Sequence, residues 1–414
     1  MKATSKIMNL VSHSTRLSWL CVGRNVGQLR RDATLGSRHW HFSMGMVSLA
    51  IPIRLFSGSS FTAANVKRCR MKRCREDNGG QMLVVTGNEA APDEVKGGVL
   101  AIGNFDGVHK GHQALIAKVC AKARTLGAPA GVIVFEPHPR ELFQPNEPHF
   151  HLTPLPLKLK RLAQFGIDVV VVLKFDRAFA SLSANQFIED VLVARLAPRH
   201  IVIGYDFFFG KGRAGTPETM KVAGQDLGFG VSVVSPVAED GEVFSSTGVR
   251  LKLAQGDVRG AAVDLGEPWR VRGRVVGGAK RGTGLGFPTA NIALQPGTAL
   301  AHGIYAVWVE IADGQTASSP LSDIVSTAGG DTPAATQGRH MGVAYLGTRP
   351  TFDDGGVLLE IFLLDFDGDL YGRTLEVSFV EFIRADRRFN SPEELVAQMQ
   401  VDCEAAYRTL AADR

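Results

Sequence analysis

The sequence lacks the features that define several common protein classes. Its five cysteines are scattered and form no Cys-x-x-Cys pair, which argues against a disulfide framework or a cysteine zinc site and favours a reducing, cytoplasmic location. No apolar run approaches the roughly 20 residues of a membrane-spanning helix, so we expect no membrane contact. No Gly-x-x-x-x-Gly-Lys-Ser/Thr segment occurs, and this excludes a P-loop nucleotide site.

Acidic residues are scarce in the first part of the chain. Residues 1–80 contain 14 Lys and Arg but three Asp and Glu, a balance of +11, so the chain's net +5 leaves −6 for the remainder. We therefore expect no nucleic-acid partner, while homo-oligomerisation is left open. Residues 1–85 are expected to be a basic, disordered extension. Their composition resembles a transit peptide; alternatively the start codon is placed too far upstream, with Met82 as the true start.

Apolar runs and helical patterns alternate from about Gly97 to Val237. The predicted strands are Gly98–Ile102, Ala130–Phe135, Asp168–Leu173, His200–Gly204 and Val231–Pro236. The predicted helices are Gln113–Gly127, Pro156–Phe165, Ala184–Leu196 and Pro217–Leu227. Strands separated by helices imply right-handed βαβ units, so we predict a doubly wound parallel sheet in an α/β domain over 86–250.

The pattern changes after a helical connector at 251–267, which Gly256 and Asp257 divide. Short strand-like runs separated by Gly- and Pro-bearing turns predict an antiparallel β-barrel over 268–414. These runs are Arg270–Val276, Gly303–Ile311, Gly342–Leu346, Leu358–Asp365 and Leu375–Ile383. A helix over Ser391–Leu410, with a capping box of Ser391 and Glu394, closes the chain. The polar segment Asp313–His340 is expected to be a disordered insertion.

The segment Gly103–His112 joins the first predicted strand to the first helix. Its sequence is Gly-Asn-Phe-Asp-Gly-Val-His-Lys-Gly-His. A strand-to-helix turn in an α/β sheet binds phosphate well, because helix-start N–H groups and the helix dipole favour negative charge. His109 and His112 lie three residues apart there and can both face a bound phosphate. We therefore expect a functional phosphate site at this turn.

Three later loops are candidates to complete this site. Gly204–Arg213 offers Asp206 and Arg213, whereas its three consecutive Phe residues are more typical of core. Ser245–Arg250 supplies hydroxyl groups and an arginine, although Ser and Thr are also the usual helix N-caps. The loop of Pro137, His138 and Pro139 is too constrained for metal chelation, so we expect it to form a pocket wall. No Gly-x-Gly-x-x-Gly occupies the first turn, which argues against a dinucleotide-dependent oxidoreductase, and a phosphate-facing His pair without a P-loop fits nucleotidyl transfer.

These motifs together resemble the bifunctional bacterial riboflavin kinase/FAD synthetase family, over about residues 97–410. The similarity rests on the Gly103–His112 segment, Phe-Glu-Pro-His-Pro, Asp-Phe-x-Phe-Gly-x-Gly-Arg and Ser-Ser-Thr-x-x-Arg. It implies a Rossmann-like domain that adenylylates FMN with ATP, in which His109 and His112 stabilise the transition state. It places the flavin near Pro137, His138 and Pro139, and it supports nucleotide contacts at Gly103, Asn104, Asp106, Asp206, Arg213, Ser246, Thr247 and Arg250.

A second family motif lies in the predicted barrel. Pro-Thr-Ala-Asn at 288–291 follows a glycine-rich loop and resembles the riboflavin kinase signature. The resemblance implies that Thr289 and Asn291 contact Mg²⁺ and ATP, with Gly286 in the same ATP loop. It makes Glu360, a carboxylate in an apolar strand, the general base for the ribityl hydroxyl, and it places Arg349 near the flavin.

The resemblance has departures that leave alternatives open. Thr283 replaces the arginine usual in the kinase loop, Tyr345 stands where Asn or Ser is commoner, and the insertion interrupts the barrel. The main hypothesis is a two-step enzyme that converts riboflavin to FMN and then FMN to FAD, with ATP as the second substrate of each step. One alternative is an adenylyltransferase with a weakened kinase half. Another is a non-catalytic nucleotide or flavin carrier.

Overall fold

The computed structural model describes residues 43–44, 47–48, 82–88, 91–239, 241–277, 289–312, 337–347 and 358–413. The chain divides into two units, 1–62 and 63–414. In the first unit, strands β1 (Ser43–Met44) and β2 (Val47–Ser48) pair antiparallel. Several positions singled out from the sequence lie outside the described residues: Thr283, Gly286, Arg349 and most of the segments 1–85 and 313–340.

The predicted parallel sheet is confirmed and has six strands. They are β3 (Leu83–Thr86), β4 (Val99–Ile102), β5 (Ala130–Glu136), β6 (Val169–Lys174), β7 (His200–Gly204) and β8 (Gly230–Val234). Their spatial order is β3-β6-β5-β4-β7-β8, and all neighbours run parallel. Hydrophobic clusters cover both faces of the sheet. All four residues of β4 are buried, as expected for an apolar run that is covered on both sides.

Strand β3 corrects the predicted start of the α/β domain. Leu83–Thr86 pairs with β6 and forms one edge of the sheet, although the sequence analysis assigned residues up to 85 to the extension. A four-residue apolar run carries too little periodicity to be distinguished from a loop. Pairing with the strongly β-branched β6 decides its conformation, so the domain includes Leu83.

The helices of this domain are α1 (Lys110–Leu126), α2 (Pro139–Phe143), α3 (Leu155–Gln164), α4 (Arg177–Ala180), α5 (Ala184–Gln186) and α6 (Pro217–Leu227), with a 3₁₀ turn at Lys211–Arg213. The predicted helices match the observed ones to within a few residues at the ends, whereas the short helices α2 and α4 were not predicted. Helix α5 continues as a π-helix over Phe187–Leu196, which differs from the α-helix predicted there. A short antiparallel pair, β9 (Ala238–Glu239) and β10 (Glu242–Val243), follows the sheet.

The connector forms two helices, α7 (Ser246–Ala254) and α8 (Val258–Leu265). They are separated at Gly256, which has a positive φ of 81°, and Asp257 caps α8 by accepting a hydrogen bond from the Gly260 N–H. The predicted break is therefore in the right place. Helix α7 begins earlier than expected because Ser245 supplies its N-cap.

The predicted antiparallel barrel is confirmed and is closed. Its strands are β11 (Arg270–Val276), β12 (Ala290–Ala293), β13 (Gly303–Ala312), β14 (Gln337–Gly347), β15 (Leu358–Leu363) and β16 (Thr374–Ala385). They close in the order β11-β12-β15-β14-β13-β16. Strand β12 was not predicted, because four residues after a glycine-rich loop give little pattern. Strand β14 begins at Gln337, so the last four residues of the predicted insertion belong to a strand.

Helix α9 (Pro392–Ala412) packs on the outside of the barrel against a cluster that includes Ile304, Trp308 and Val343. The predicted capping box is only half formed. Ser391 accepts a hydrogen bond from the Glu394 N–H, but the Glu394 carboxylate accepts from the Asn390 N–H instead of from Ser391. Within the described residues, no helix is long and apolar enough to span a membrane.

Trp269 joins the two domains at the start of β11. Its indole Nε1 donates to the Leu152 carbonyl at 2.9 Å, and its ring contacts Phe150 on one side and Phe379 of the barrel on the other. Barrel residues, helices α7 and α8, and the Phe150–Leu152 loop share one hydrophobic cluster. The barrel core therefore reaches the loop that supports the predicted phosphate turn.

Candidate active sites

The backbone of the Gly103–His112 turn is held in uncommon conformations. Phe105, Gly107 and Val108 have positive φ values of 49°, 86° and 44°. Two of these are non-glycine residues, and such conformations cluster at functional sites because the surrounding structure must hold them. The Phe105 and Val108 side chains are fully buried, and their packing keeps the backbone in these conformations. The turn is therefore a rigid scaffold between β4 and α1.

Gly111 allows the two histidines to pack together. A Cβ at this position would lie 3.0 Å from the His109 ring and 3.3 Å from the Phe244 carbonyl. His109 and His112 stack with ring centroids 3.8 Å apart. Their Nδ1 atoms and the Asn104 Oδ1 are buried without hydrogen-bond partners within the described structure. Unsatisfied buried polar atoms are rare in folded proteins, so this group is a candidate binding site for a polar ligand.

Burial keeps both histidines neutral in the free protein. It lowers the pKa of His109 to about 4, although Asp106, Asp264 and Asp206 act in the opposite direction. The pKa of His112 is held well below its ordinary value by burial, by His109 and by the Lys158 cation. At neutral pH each ring therefore presents one N–H donor and one acceptor nitrogen.

Asp106 is anchored inside the protein. Its carboxylate accepts hydrogen bonds from the Leu152 N–H at 3.2 Å and the Thr153 N–H at 3.0 Å, and it forms an ion pair with Arg250. Burial alone would raise its pKa, but Lys158, Arg250 and the two backbone N–H groups reverse this and hold the pKa below the ordinary value. Asp106 thus ties the turn to the Leu152 loop and to helix α7.

Replacing Asp106 with Asn should destabilise the protein, because Arg250 would lose its partner in a mostly buried position. We expect a loss of about 3–5 kcal/mol in the free energy of unfolding, as is typical when one member of a buried pair is removed. Urea unfolding would measure it. The control is Asp257→Asn, an exposed N-cap whose function Asn can perform, so a loss below about 1 kcal/mol is expected. Equal effects of both variants would refute the anchoring role.

Helix α7 brings the Ser245–Arg250 segment to the same turn. The Ser245 Oγ accepts from the Gly248 N–H, so the simple N-cap interpretation is correct for this residue. The Ser246 Oγ instead donates to the Asp106 carbonyl at 2.8 Å, and Arg250 also donates to the Phe150 carbonyl. Thr247 is exposed at the first turn of the helix.

The Asp206–Arg213 loop lies at the edge of this site. Asp206 is exposed, and its negative charge acts to raise the pKa of His109, against the larger effect of burial. Arg213 has a positive φ of 59°, and its guanidinium lies 5.2 Å from the centre of the Phe208 ring. Among the three consecutive phenylalanines, Phe209 is buried and Phe207 packs partly buried against the core, as expected, whereas Phe208 is 45% exposed.

The Pro137–Pro139 loop carries a second group of histidines. His138 N-caps helix α2 by accepting from the Arg140 N–H, and it stacks on His149 with ring centroids 4.1 Å apart. His151 lies beside both rings and is 2.6 Å from Glu141. Over the part of the chain that the structure describes, no group of three or more His, Cys, Asp or Glu is arranged to hold a metal ion. The role of this loop as a pocket wall stays a prediction.

Acid should destabilise this domain. Burial lowers the pKa values of His109 and His149 to about 4 and of His138 to about 3, from an ordinary 6.5. The unfolded chain therefore binds more protons below pH 6.5, and the free energy of unfolding should fall as the pH drops towards 4. Each such histidine contributes up to about 1.4 kcal/mol per pH unit.

Urea midpoints measured between pH 7.5 and pH 5 would test this dependence. His138 faces Asp106, His149, His151 and Lys158, and His149 faces Arg250 and Glu141 as well. The double variant His138→Gln, His149→Gln should have a shallower pH dependence than the wild type. If the free energy of unfolding of the double variant depended on pH as steeply as that of the wild type, these two rings would not be the cause of the pH dependence.

Lys158 and Glu136 were not identified from the sequence. Lys158 lies on the buried face of α3 with its Nζ 3.4 Å from the Glu136 Oε1, and its side chain is 2% exposed. A lysine among the leucines of an amphipathic helix was the available signal, because such a charge is rarely buried without a partner.

The kinase motifs meet on the barrel wall. Asn291 of β12 and Glu360 of β15 are direct partners in the antiparallel register. Ala290 and Ile292 belong to the barrel core, as do Leu359 and Ile361, so Asn291 and Glu360 lie on the opposite, outer face. Thr289 precedes Asn291 by two residues and shares that face. Glu360 is thus adjacent to the Thr289–Asn291 motif, although about 70 positions separate them in the sequence.

The residues on this face fit a hard cation. Asn291 is 4% exposed, and its Oδ1 is buried without a hydrogen-bond partner in the described residues. An amide oxygen, a hydroxyl and a nearby carboxylate are ligands of the type that Mg²⁺ uses with phosphate oxygens. Tyr345, directly opposite Glu360 on β14, donates its hydroxyl to Asp386 at 3.1 Å.

Comparison with known proteins gives both domains an identity. The FAD synthetase family model matches residues 91–248, and the riboflavin kinase model matches residues 265–410. The chain is 40% identical to the bifunctional riboflavin kinase/FMN adenylyltransferase of Escherichia coli strain K12, over 75% of this chain and 92% of that protein. It is 41% identical to the Pseudomonas fluorescens protein of the same name, over 80% and 98%.

A solved structure from Streptococcus pneumoniae, described as a macrolide-efflux protein, has the same fold. It is 28% identical, covers 79% of this chain and 99% of its own, and superposes with a TM-score of 0.65. The two family matches and the identity over most of each curated relative support one assignment. The chain belongs to the bifunctional riboflavin kinase/FMN adenylyltransferase family.

Proposed function

We propose which residues of this chain carry out each of its two ATP-dependent reactions. The chain phosphorylates riboflavin to FMN and then adenylylates FMN to FAD. The barrel performs the first step and the α/β domain the second. The observation that carries this division is that the FAD synthetase model matches residues 91–248 and the riboflavin kinase model matches residues 265–410. Unpartnered buried polar atoms occur at Asn104, His109 and His112 in the first region and at Asn291 in the second.

In the adenylyl transfer, an FMN phosphate oxygen attacks the α-phosphorus of ATP, and the bond to the diphosphate breaks. The nucleophile is already an anion, so the protein has to position two polyanions and stabilise the charge that builds up on the α-phosphate. His109 and His112 supply N–H donors from a rigid turn, and α1 adds the positive end of its dipole. Neutral rings suit this role, since they bind phosphate without holding it as an ion pair.

The surrounding loops bind the nucleotide and the flavin. Gly103 and Asn104 lie at the end of β4, and Ser246, Thr247 and Arg250 approach from α7. Asp206 and Arg213 close the other edge, and the loop of Pro137, His138 and Pro139 faces the flavin. In this arrangement Asp106 and Arg250 act mainly by fixing the turn, because their hydrogen bonds are directed inward.

In the kinase step, the ribityl 5′-hydroxyl oxygen attacks the γ-phosphorus of ATP, and ADP leaves. Glu360 accepts the hydroxyl proton as general base. Thr289 and Asn291 hold the phosphates and Mg²⁺, which when bound neutralises charge on the phosphate oxygens. Gly286 and Arg349 complete the ATP and flavin contacts in this proposal, and both lie outside the described residues.

A single assay tests the assignment. Purified protein is incubated with riboflavin, Mg²⁺ and α-labelled ATP, and FMN and labelled FAD are separated and counted. Both products are expected. FAD formed only from added FMN would support the alternative with a weakened kinase half, and the absence of both products would support a carrier.

A further inference from the structure

Lys158 is a buried lysine next to the adenylyl-transfer site. Its residue is 1% exposed, and on α3 it is surrounded by the buried leucines Leu155, Leu159 and Leu162. Keeping an ammonium group in such a position is costly unless it is paired or used. Nothing in the roles proposed above requires this charge.

The pairing of Lys158 is weak for a buried ammonium. Among the described residues, the Glu136 carboxylate is its only hydrogen-bond partner, at 3.4 Å. The ammonium has three N–H donors, so at least two are left without a protein acceptor. Glu136 ends strand β5, and its side chain is 23% exposed, so this carboxylate remains in contact with solvent.

The charge of Lys158 acts on titratable groups of the phosphate turn and of the flavin loop. It lowers the pKa of Asp106, of His112 and of His138, which belong to the phosphate turn and the flavin loop. Its ion-pair partner Glu136 directly precedes Pro137 of the flavin loop, and α3 follows Leu152 and Thr153, whose N–H groups donate to Asp106 of the phosphate turn. Lys158 therefore lies close to both places where we expect the reacting phosphates. The histidines there are neutral, and the charge of Arg250 is balanced by Asp106. Among the described residues of this site, Lys158 is thus a buried cation with N–H donors that no protein group accepts.

We propose that Lys158 binds a phosphate oxygen of the reactants in adenylyl transfer, beside His112 and His138. It donates an N–H to a non-bridging oxygen and exchanges no proton, while the FMN oxygen bonds to the α-phosphorus and diphosphate departs. The oxygen belongs either to the triphosphate chain or to the FMN phosphate. The inference rests on the assignment of adenylyl transfer to this domain.

The test compares three variants in the full chain. Lys158→Met removes the charge but keeps the length and the apolar contacts, and Lys158→Arg keeps a cation. Glu136→Gln breaks the ion pair and leaves Lys158 in place. FAD synthesis from FMN and ATP and the reverse reaction with pyrophosphate are measured. The urea unfolding midpoint of each variant reports on folding of the α/β domain, and riboflavin phosphorylation in the same samples reports on the barrel.

We expect Lys158→Met to lower kcat/KM for FAD synthesis by about 100-fold, as loss of a charged phosphate donor does. Lys158→Arg should keep part of the kcat/KM that Lys158→Met loses. Glu136→Gln should lower kcat/KM much less than Lys158→Met does. The rate of riboflavin phosphorylation should stay at the wild-type level in all three variants. An increased KM for pyrophosphate would assign Lys158 to the triphosphate chain, and an increased KM for FMN to the flavin phosphate.

Two results would overturn the proposal. A wild-type value of kcat/KM for FAD synthesis in Lys158→Met would show that the Lys158 cation does not take part in the reaction. An equal loss in Glu136→Gln and Lys158→Met would show that the ion pair matters and the cation does not. Failure of the assignment itself would be seen separately, because the wild-type protein would then make no FAD.

Discussion

Replacing His112 with Ala should reduce FAD formation from FMN and ATP by about 10²- to 10³-fold, the usual effect of removing one preorganised donor. His112 stacks on His109 and contacts Phe105, and its ring is neutral at the working pH, so its N–H donor is the property that is lost. The measurement is the transfer of label from α-labelled ATP to FAD. Riboflavin phosphorylation by the same variant should be unchanged, since Glu360 and Asn291 lie in the barrel.

The control for this variant is a second buried histidine in the same sheet. His200 lies at the start of β7, at the end of the sheet opposite the phosphate turn, and its Nε2 is 2.8 Å from the Ser232 hydroxyl. His200→Asn should keep FAD synthesis near the wild-type rate. If His112→Ala also kept the rate, His112 would be excluded as a donor in adenylyl transfer. If both variants lost it equally, packing would be responsible.

Replacing Glu360 with Gln should lower kcat for riboflavin phosphorylation by about 10²- to 10⁴-fold, the range for loss of a general base. Gln keeps the size and the position opposite Asn291 but cannot accept the hydroxyl proton. FAD formation from added FMN should continue, because that step uses the other domain. The measurement is FMN production from riboflavin and FAD production from FMN in parallel reactions.

A second carboxylate provides the comparison for this variant. Glu310 lies on β13, whose partners are β14 and β16, and it is not adjacent to Asn291. Glu310→Gln should leave riboflavin phosphorylation close to the wild-type rate. Wild-type FMN production by Glu360→Gln would exclude Glu360 as the base.

Together these two variants would separate the steps within one chain. A mixture of His112→Ala and Glu360→Gln proteins should convert riboflavin to FAD, because one supplies FMN and the other adenylylates it. Neither variant alone should make FAD efficiently from riboflavin. This follows from the distribution of the two sites over two domains.

Much of the fold follows from local patterns. The β-branched run of β6, the glycine after α1 and the break at Gly256 act on their immediate neighbours, so they could be interpreted from the sequence. Strands β3 and β12 could not, since each has four residues and is held by pairing with a distant strand. The π-helix at Phe187–Leu196 likewise has no local signal that we recognised.

The sequence by itself determined the two-domain architecture, the strand–turn–helix at Gly103–His112 and the residue types that suit phosphate. These depend on residues a few positions apart. Only the tertiary structure placed Asn291 beside Glu360, turned Asp106 inward to Arg250 and paired the buried Lys158 with Glu136. It also set the neutral state of His109 and His112, because burial is a property of the assembled core. Strand register, burial and charge pairing depend on contacts between residues that are 40 to 150 positions apart in the sequence. The hydrogen bonds from Asp106 to Leu152 and Arg250 are examples. Local propensity acts between close neighbours in the sequence, so it does not encode such contacts.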